Sequence, residues 1–100
     1  FLSQIRNIVY TVTSGSGLWT PENKTIKHTA EITGIYRMSV LSVANFKIST
    51  TSPSPGDFSK NVSVLLDKNS EETFTLEPSI RSLSQANYWW CLEFVTQLIT

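Results

Sequence analysis

The sequence predicts an all-β fold, in which about seven or eight short strands form an antiparallel sandwich. Apolar and polar residues alternate at period two along most of the chain, and turn-forming residues interrupt this alternation about every 8 to 12 residues. No apolar repeat of helical spacing extends beyond about two turns. Ser, Thr and Val are abundant, and Thr and Val fit strands better than helices.

The length of 100 residues suits one domain with a single core. We expect residues 1–6 to be a connector or the remnant of a stalk, and residues 7–100 to form one β-sandwich domain at the C-terminal end of a longer protein. Eight basic and eight acidic residues give no net charge, so the chain lacks the basic surface of a nucleic-acid-binding protein. No apolar run approaches the roughly 20 residues that span a bilayer, so we expect no membrane insertion.

The first two predicted strands are separated by a glycine and serine run. Apolar and polar residues alternate from Asn7 to Thr13, which we interpret as the first strand. The run from Ser14 to Gly17 is expected to end it, because glycine loosens the backbone and serine satisfies it locally. Trp19 is expected to pack over the edge of the sandwich. A second strand is predicted from Thr25 to Ile32, and Gly34 marks the hinge before the third.

The third and fourth strands are predicted from Ile35 to Val43 and from Asn45 to Thr51. The side chains expected to point inward are Tyr36, Met38 and Val40 in the third strand, and Phe46 and Ile48 in the fourth. The Pro, Gly and Ser cluster from Thr50 to Asp57 then predicts an exposed loop.

Alternation resumes at Val62, Val64 and Leu66, and the residues from Asp67 to Ser70 have the composition of a turn. A short return strand follows from Thr73 to Leu76 and ends at Pro78. The segment from Ile80 to Asn87 is expected to cross towards the final strand.

The final strand, from Ala86 to Thr100, is the most hydrophobic part of the chain, and it is apolar on both faces. A strand of this kind requires cover on both sides. In so short a chain the second cover is expected to be another copy of the protein. Assembly would also add stability, because a single cysteine cannot form an intrachain disulfide. The predicted oligomer interface comprises Tyr88, Trp89, Cys91, Phe94, Val95 and Ile99.

Three features of the chain resemble the trimeric heads of the tumour-necrosis-factor and complement-type globular family. The segment from Ile32 to Met38 resembles the family's central strand, with its Gly-x-Tyr step at Gly34 and Tyr36. The residues from Val62 to Asn69 and from Glu71 to Leu76 resemble the hairpin that follows it. The aromatic final strand resembles the family's last strand, which packs near the threefold axis. The resemblance covers roughly residues 26 to 100; one departure is Ser84-Gln85-Ala86-Asn87, where the family often has a Gly-Asp turn.

The resemblance implies a compact jelly-roll-like sandwich that assembles as a homotrimer. It also implies a non-catalytic receptor-binding or attachment head, such as the C-terminal tip of a phage or viral fibre or appendage, located outside the cell or on the virion surface. Two alternatives remain open. One is a structural trimerisation cap of a fibre, and the other is a carbohydrate-binding module of a larger protein.

Residues suited to catalysis or to metal binding are few. Cys91 and His28 are the candidates for a nucleophile and its base, but Cys91 lies between two large apolar residues and His28 has no partner nearby in the sequence. Zinc requires several His or Cys ligands. The oxygen-rich stretch from Asp67 to Glu72 does not match the spacing of an EF-hand and is interpreted as a solvated turn. We therefore expect no enzyme, no metal and no cofactor.

Two surfaces are candidates for binding a cell-surface receptor or glycan. One is a sugar platform, because aromatic faces stack on the C–H faces of sugars and a polar neighbour can fix the orientation of the sugar. The loop from Thr50 to Lys60 suits receptor contact, because specificity often lies on polar loops of a rigid sandwich. The candidate sugar platform is Trp19, Asn87 and Trp89, and the candidate loop contacts are Thr51, Ser52, Ser54, Asp57 and Lys60.

Overall fold

The computed structural model describes residues 9–50, 61–80 and 82–97. Within these residues all regular structure is β, so the prediction of an antiparallel β-sandwich is confirmed. The strands are β1 (Tyr10–Trp19), β2 (Thr25–Thr29), β3 (Gly34–Leu41), β4 (Phe46–Ser49), β5 (Asn61–Leu66), β6 (Glu71–Pro78) and β7 (Ala86–Gln97).

The seven strands form two sheets, and consecutive strands lie in different sheets. The large sheet has the order β1-β7-β3-β5, and the small sheet has the order β2-β6-β4. Odd-numbered strands therefore belong to one sheet and even-numbered strands to the other. All pairings are antiparallel, and the last strand, β7, lies between β1 and β3. This two-sheet path, with the first and last strands as neighbours, is jelly-roll-like.

The core lies between the sheets and is built from every second residue of each strand. The predicted inward positions in β3 and β4 are confirmed, because Tyr36, Met38, Val40, Phe46 and Ile48 are all buried. From β6 and β7 the core receives three side chains with no exposed surface, which are Phe74, Leu76 and Leu92.

The prediction that the glycine and serine run ends the first strand is wrong. β1 continues through it to Trp19, because each glycine lies beneath an aromatic ring of β7. A Cβ atom on Gly15 would lie 2.9 Å from the Trp90 indole nitrogen, and one on Gly17 would lie 3.1 Å from the Tyr88 hydroxyl oxygen. Glycine at these positions makes room for the neighbouring strand's rings.

Trp19, at the end of β1, lies inside the sandwich and not over its edge. Its exposed fraction is 4%. The indole nitrogen donates a hydrogen bond to the Leu76 carbonyl oxygen of the small sheet at 2.9 Å, and the ring lies 5.9 Å from that of Phe46. Trp19 therefore ties the two sheets together.

The predicted hairpin from Val62 to Leu76 is also wrong. Its two strands, β5 and β6, belong to different sheets, and the turn between them crosses the sandwich. Asn69 adopts the left-handed conformation at φ 71°. Its backbone N–H donates to the Ala30 carbonyl oxygen, and the Ala30 N–H donates to the Ser70 carbonyl oxygen. These bonds hold the turn against the end of β2.

A side chain in place of Gly34, at the start of β3, is expected to destabilise the fold for steric reasons. A Cβ atom there would lie 2.5 Å from the Thr96 carbonyl oxygen and 2.6 Å from the Phe94 ring. The φ of Gly34 is not positive, so the cost of a side chain is steric. We expect Gly34→Ala to lower the free energy of unfolding by about 1–3 kcal/mol, measured by urea denaturation. Val43→Ala, at a fully exposed position, is the control and should change it by less than about 0.5 kcal/mol.

Two buried tyrosines predict a loss of stability in alkali. Burial raises the pKa of the Tyr36 and Tyr88 phenols above their ordinary value of 10.0. As the pH rises through about 10, the unfolded chain loses protons that the folded chain retains, so the free energy of unfolding falls. Urea titrations at about pH 9 and pH 11 should show this fall, and Tyr88→Phe should reduce it. An equal fall in Tyr88→Phe would contradict the assignment to Tyr88.

Candidate functional site

The outward face of the large sheet is almost free of charge. Its four strands contain two charged residues, Arg37 of β3 and Glu93 of β7. These lie opposite each other in the register. The guanidinium Nε and Nη2 both donate to Glu93 Oε1, at 3.1 and 2.9 Å. The charges of the face are therefore paired with each other.

On one side of this ion pair lies an apolar surface centred on Trp89, which we call the Trp89 patch. It consists of Leu18, Leu41, Trp89 and Cys91. Trp89 is 56% exposed and lies opposite Leu41 of β3, which is 63% exposed. Leu18, on β1, lies opposite Asn87. A pocket of about 350 Å³ opens here, lined by Ser39, Val40, Leu41, Trp89, Trp90 and Cys91.

A second apolar group lies on the other side of the ion pair. Leu65 of β5 lies opposite Ile35 of β3, and Leu65 is 56% exposed. Small polar residues fill the remaining outward positions, among them Ser14 and Ser16 on β1 and Ser63 on β5. The face is therefore largely uncharged, with large apolar side chains on both sides of the ion pair.

The outward face of the small sheet has the opposite character. Its positions are occupied by charged and hydroxyl side chains, which are Thr25, Lys27 and Thr29 on β2, Lys47 and Ser49 on β4, and Glu71, Thr73, Thr75 and Glu77 on β6. This face is suited to water. The outward face of the small sheet is thus polar, whereas that of the large sheet is largely apolar. No described residues cover the apolar face.

The predicted oligomer-interface residues divide between the two faces of β7. Trp89 and Cys91 lie on the outward face. Tyr88 and Phe94 lie in the core and are only 5% and 6% exposed, so they offer little surface to another copy. They are buried because β7 is a central strand whose inner face is covered by the small sheet. Val95 is half-buried at a bulge opposite β3, and Ile99 lies outside the described residues.

The structure does not bring the predicted sugar platform together. Trp19 is buried between the sheets, whereas Trp89 and Asn87 are exposed. The Asn87 carbonyl oxygen accepts a hydrogen bond from the Ser42 hydroxyl at 2.8 Å. The role of Asn87 and Trp89 in binding stays a prediction. The predicted loop contacts Thr51, Ser52, Ser54, Asp57 and Lys60 lie outside the described residues.

Cys91 and His28 lie in different sheets. Cys91 is half-buried on the outward face of the large sheet, with its sulfur 3.8 Å from the Thr11 hydroxyl oxygen. His28 faces the core from the small sheet, with its ring 6.1 Å from that of Tyr36, and lies opposite the buried Glu72. Its Nε2 atom has no hydrogen-bond partner. The two do not form a nucleophile and base pair in this arrangement.

The oxygen-rich turn after β5 does not gather its side chains around one point. Glu71 is exposed and Glu72 is buried, because adjacent strand residues point to opposite faces. Among the described residues no group of three or more His, Cys, Asp and Glu side chains is placed to hold a metal ion.

A pocket at one end of the small sheet was not predicted from the sequence. It has a volume of about 450 Å³ and is lined by Trp19, Pro21, Lys24, Lys47, Leu76, Glu77, Pro78, Ser79 and Leu83. These residues come from four separate stretches of the chain, so no local motif signals the pocket. The alternation of β4 and β6, which places Lys47 and Glu77 on one face, is the one hint that the sequence offers.

Comparison of the chain with protein-family models, with curated proteins and with solved structures finds no match. In the part of the chain that the structure describes, no helix is long and apolar enough to span a membrane.

Proposed function

We propose that this protein is a non-catalytic attachment head, which assembles as a homotrimer through the outward face of its large sheet. It forms the C-terminal tip of a phage or viral fibre or appendage and binds a receptor or glycan on the cell surface. One observation carries the proposal: the outward face of the large sheet is uncharged apart from one internal ion pair and displays Trp89, Leu41 and Leu65.

A second copy of the chain is the occupant that best suits this face. Large exposed apolar side chains favour association, since covering the exposed parts of Trp89 and Leu41 contributes on the order of 1 to 2 kcal/mol each. Arg37 and Glu93 already satisfy each other, so their burial leaves no charge unpaired. The face therefore does not need a partner with a complementary charge.

The fold adds support through the family that the sequence resembles. Its members are trimeric jelly rolls, and the path of this chain is jelly-roll-like. Three copies would display each binding site three times, and trivalent binding strengthens a weak site by roughly 100-fold or more when the receptors are close enough.

The test measures assembly and binding on the same 100-residue protein. Sedimentation equilibrium should give three times the chain mass of 11.2 kDa, and an array of neutral and acidic glycans should retain the trimer. A single-chain mass would overturn the proposal. A trimer that the array and intact cells both fail to retain would favour a structural trimerisation cap.

A further inference from the structure

We infer that the pocket beside Trp19 is the receptor site, and that it binds a saccharide bearing a carboxylate. This inference rests on the proposed attachment function and adds the class of ligand and the place where it binds. The pocket is defined by the lining residues given above. It lies at one end of the small sheet, outside the Trp89 patch.

The size and the walls of the pocket suit one or two sugar rings. Its volume of about 450 Å³ falls within the range of roughly 300–1,000 Å³ that is usual for small-molecule sites. Pro21, Pro78 and Leu83 supply apolar wall for the C–H faces of a sugar. Trp19 also lines the pocket, and its indole N–H is already bonded to the Leu76 carbonyl oxygen. Ser79, which also lines the pocket, carries a hydroxyl group that can hydrogen-bond to a sugar.

The charges of the lining select an anion. Among the described residues, two lysines and one glutamate line the pocket, and together they carry a net charge of 2 − 1 = +1. Lys47 lies opposite Glu77 in the register, yet neither Lys24 nor Lys47 forms an ion pair within the described residues. The ammonium groups are therefore available to an anionic ligand, to which a lysine binds as a point charge.

The backbone N–H groups of the lining residues favour a carboxylate ligand over a phosphate. Phosphate sites usually present several free backbone N–H groups to the anion. Here the Leu76 N–H donates to the Lys24 carbonyl oxygen at 2.8 Å, and the Ser79 N–H donates to the Asn45 carbonyl oxygen at 2.9 Å. The Leu83 N–H also has a partner, the Ile80 carbonyl oxygen at 3.1 Å. These three amides therefore offer no free donor to a phosphate, and the lysine side chains are the groups left to bind the anion.

The experiment compares ligands that differ only in the carboxylate. Saturation-transfer NMR titrations of the full chain with methyl β-glucuronide and methyl β-glucoside should show binding of the glucuronide that is about tenfold tighter. Acetate should bind at least tenfold more weakly than the glucuronide. Equal binding of the two glycosides, binding of acetate as tight as that of the glucuronide, or no binding of the glucuronide would overturn the inference.

Variants assign the binding to this pocket. Lys24→Ala with Lys47→Ala should weaken glucuronide binding about tenfold, whereas Lys68→Ala, in the exposed turn between β5 and β6, should not change it. Both variants are checked for retained fold by circular dichroism, and Lys47→Arg serves as a second variant that keeps the charge. If the double variant binds as tightly as the unchanged protein, the site lies elsewhere.

This inference and the proposed function fail in different ways. A trimer that binds neutral glycans but not the glucuronide would overturn the inference and leave the attachment function standing. A single-chain mass with glucuronide binding that depends on Lys24 and Lys47 would overturn the trimeric head and leave the pocket assigned.

Discussion

Trp89→Glu is expected to convert the proposed trimer into a single chain of 11.2 kDa. Trp89 is the largest exposed side chain on the outward face of the large sheet, and Leu41 lies beside it. A glutamate at this position would bring an unpaired carboxylate into an apolar interface, which is costly because its charge loses water without gaining a partner. Sedimentation equilibrium measures the outcome.

The matched control for this prediction is Ile80→Glu. Ile80 is 60% exposed and follows β6. Ile80→Glu therefore also replaces an exposed apolar side chain with a carboxylate, but at a position away from the large sheet. Ile80→Glu should keep the mass of the unchanged protein. If Trp89→Glu and Ile80→Glu have the same mass, the Trp89 patch is not the interface. The far-UV circular dichroism of Trp89→Glu should match that of the unchanged protein, because the substituted side chain points outward.

Phe74→Ala is expected to lower the free energy of unfolding by about 3–5 kcal/mol. Phe74 has no exposed surface and lies at the centre of β6, the middle strand of the small sheet, opposite Ile26. Truncation removes apolar contacts on all sides and leaves a cavity that the two sheets cannot close. The total free energy of unfolding of such a domain is about 5–15 kcal/mol, so the variant would lose a large part of its stability.

Urea denaturation at one fixed protein concentration measures this loss, because the stability of an oligomer depends on concentration. The control is Thr75→Ala, at the next position of the same strand, whose side chain points outward. It should cost less than about 1 kcal/mol. A similar loss in the two variants would mean that Phe74 is not packed in the core as described.

The positions of individual strands followed from local patterns where alternation was clean. In β3 and β4 the apolar side chains recur at every second residue, so both the strands and their inward faces were predicted correctly. β1 was cut short in the prediction, because glycine next to serine usually ends a strand. Its continuation depends on the rings of Trp90 and Tyr88, which are more than 70 residues away in the sequence, at register positions opposite Gly15 and Gly17.

The candidate sites were predicted less completely than the fold. The apolar final strand pointed to Trp89 and Cys91, and both lie on the outward face of the large sheet. The same pattern could not tell which of its two faces this chain would cover by itself, so Tyr88 and Phe94 were assigned to the interface although they belong to the core. The pocket beside Trp19 was missed, since Lys24 and Lys47 approach it from different strands and loops.

The sequence by itself determined the class of structure and the two faces of each strand, because side chains in a strand alternate with a fixed period that can be read locally. Tertiary structure alone decided which sheet each strand joined. A polar turn such as Asp67 to Ser70 can close a hairpin or cross from one sheet to the other, and the choice depends on which distant strands pair. That choice places β7 in the middle of the large sheet, with Trp89 facing outward.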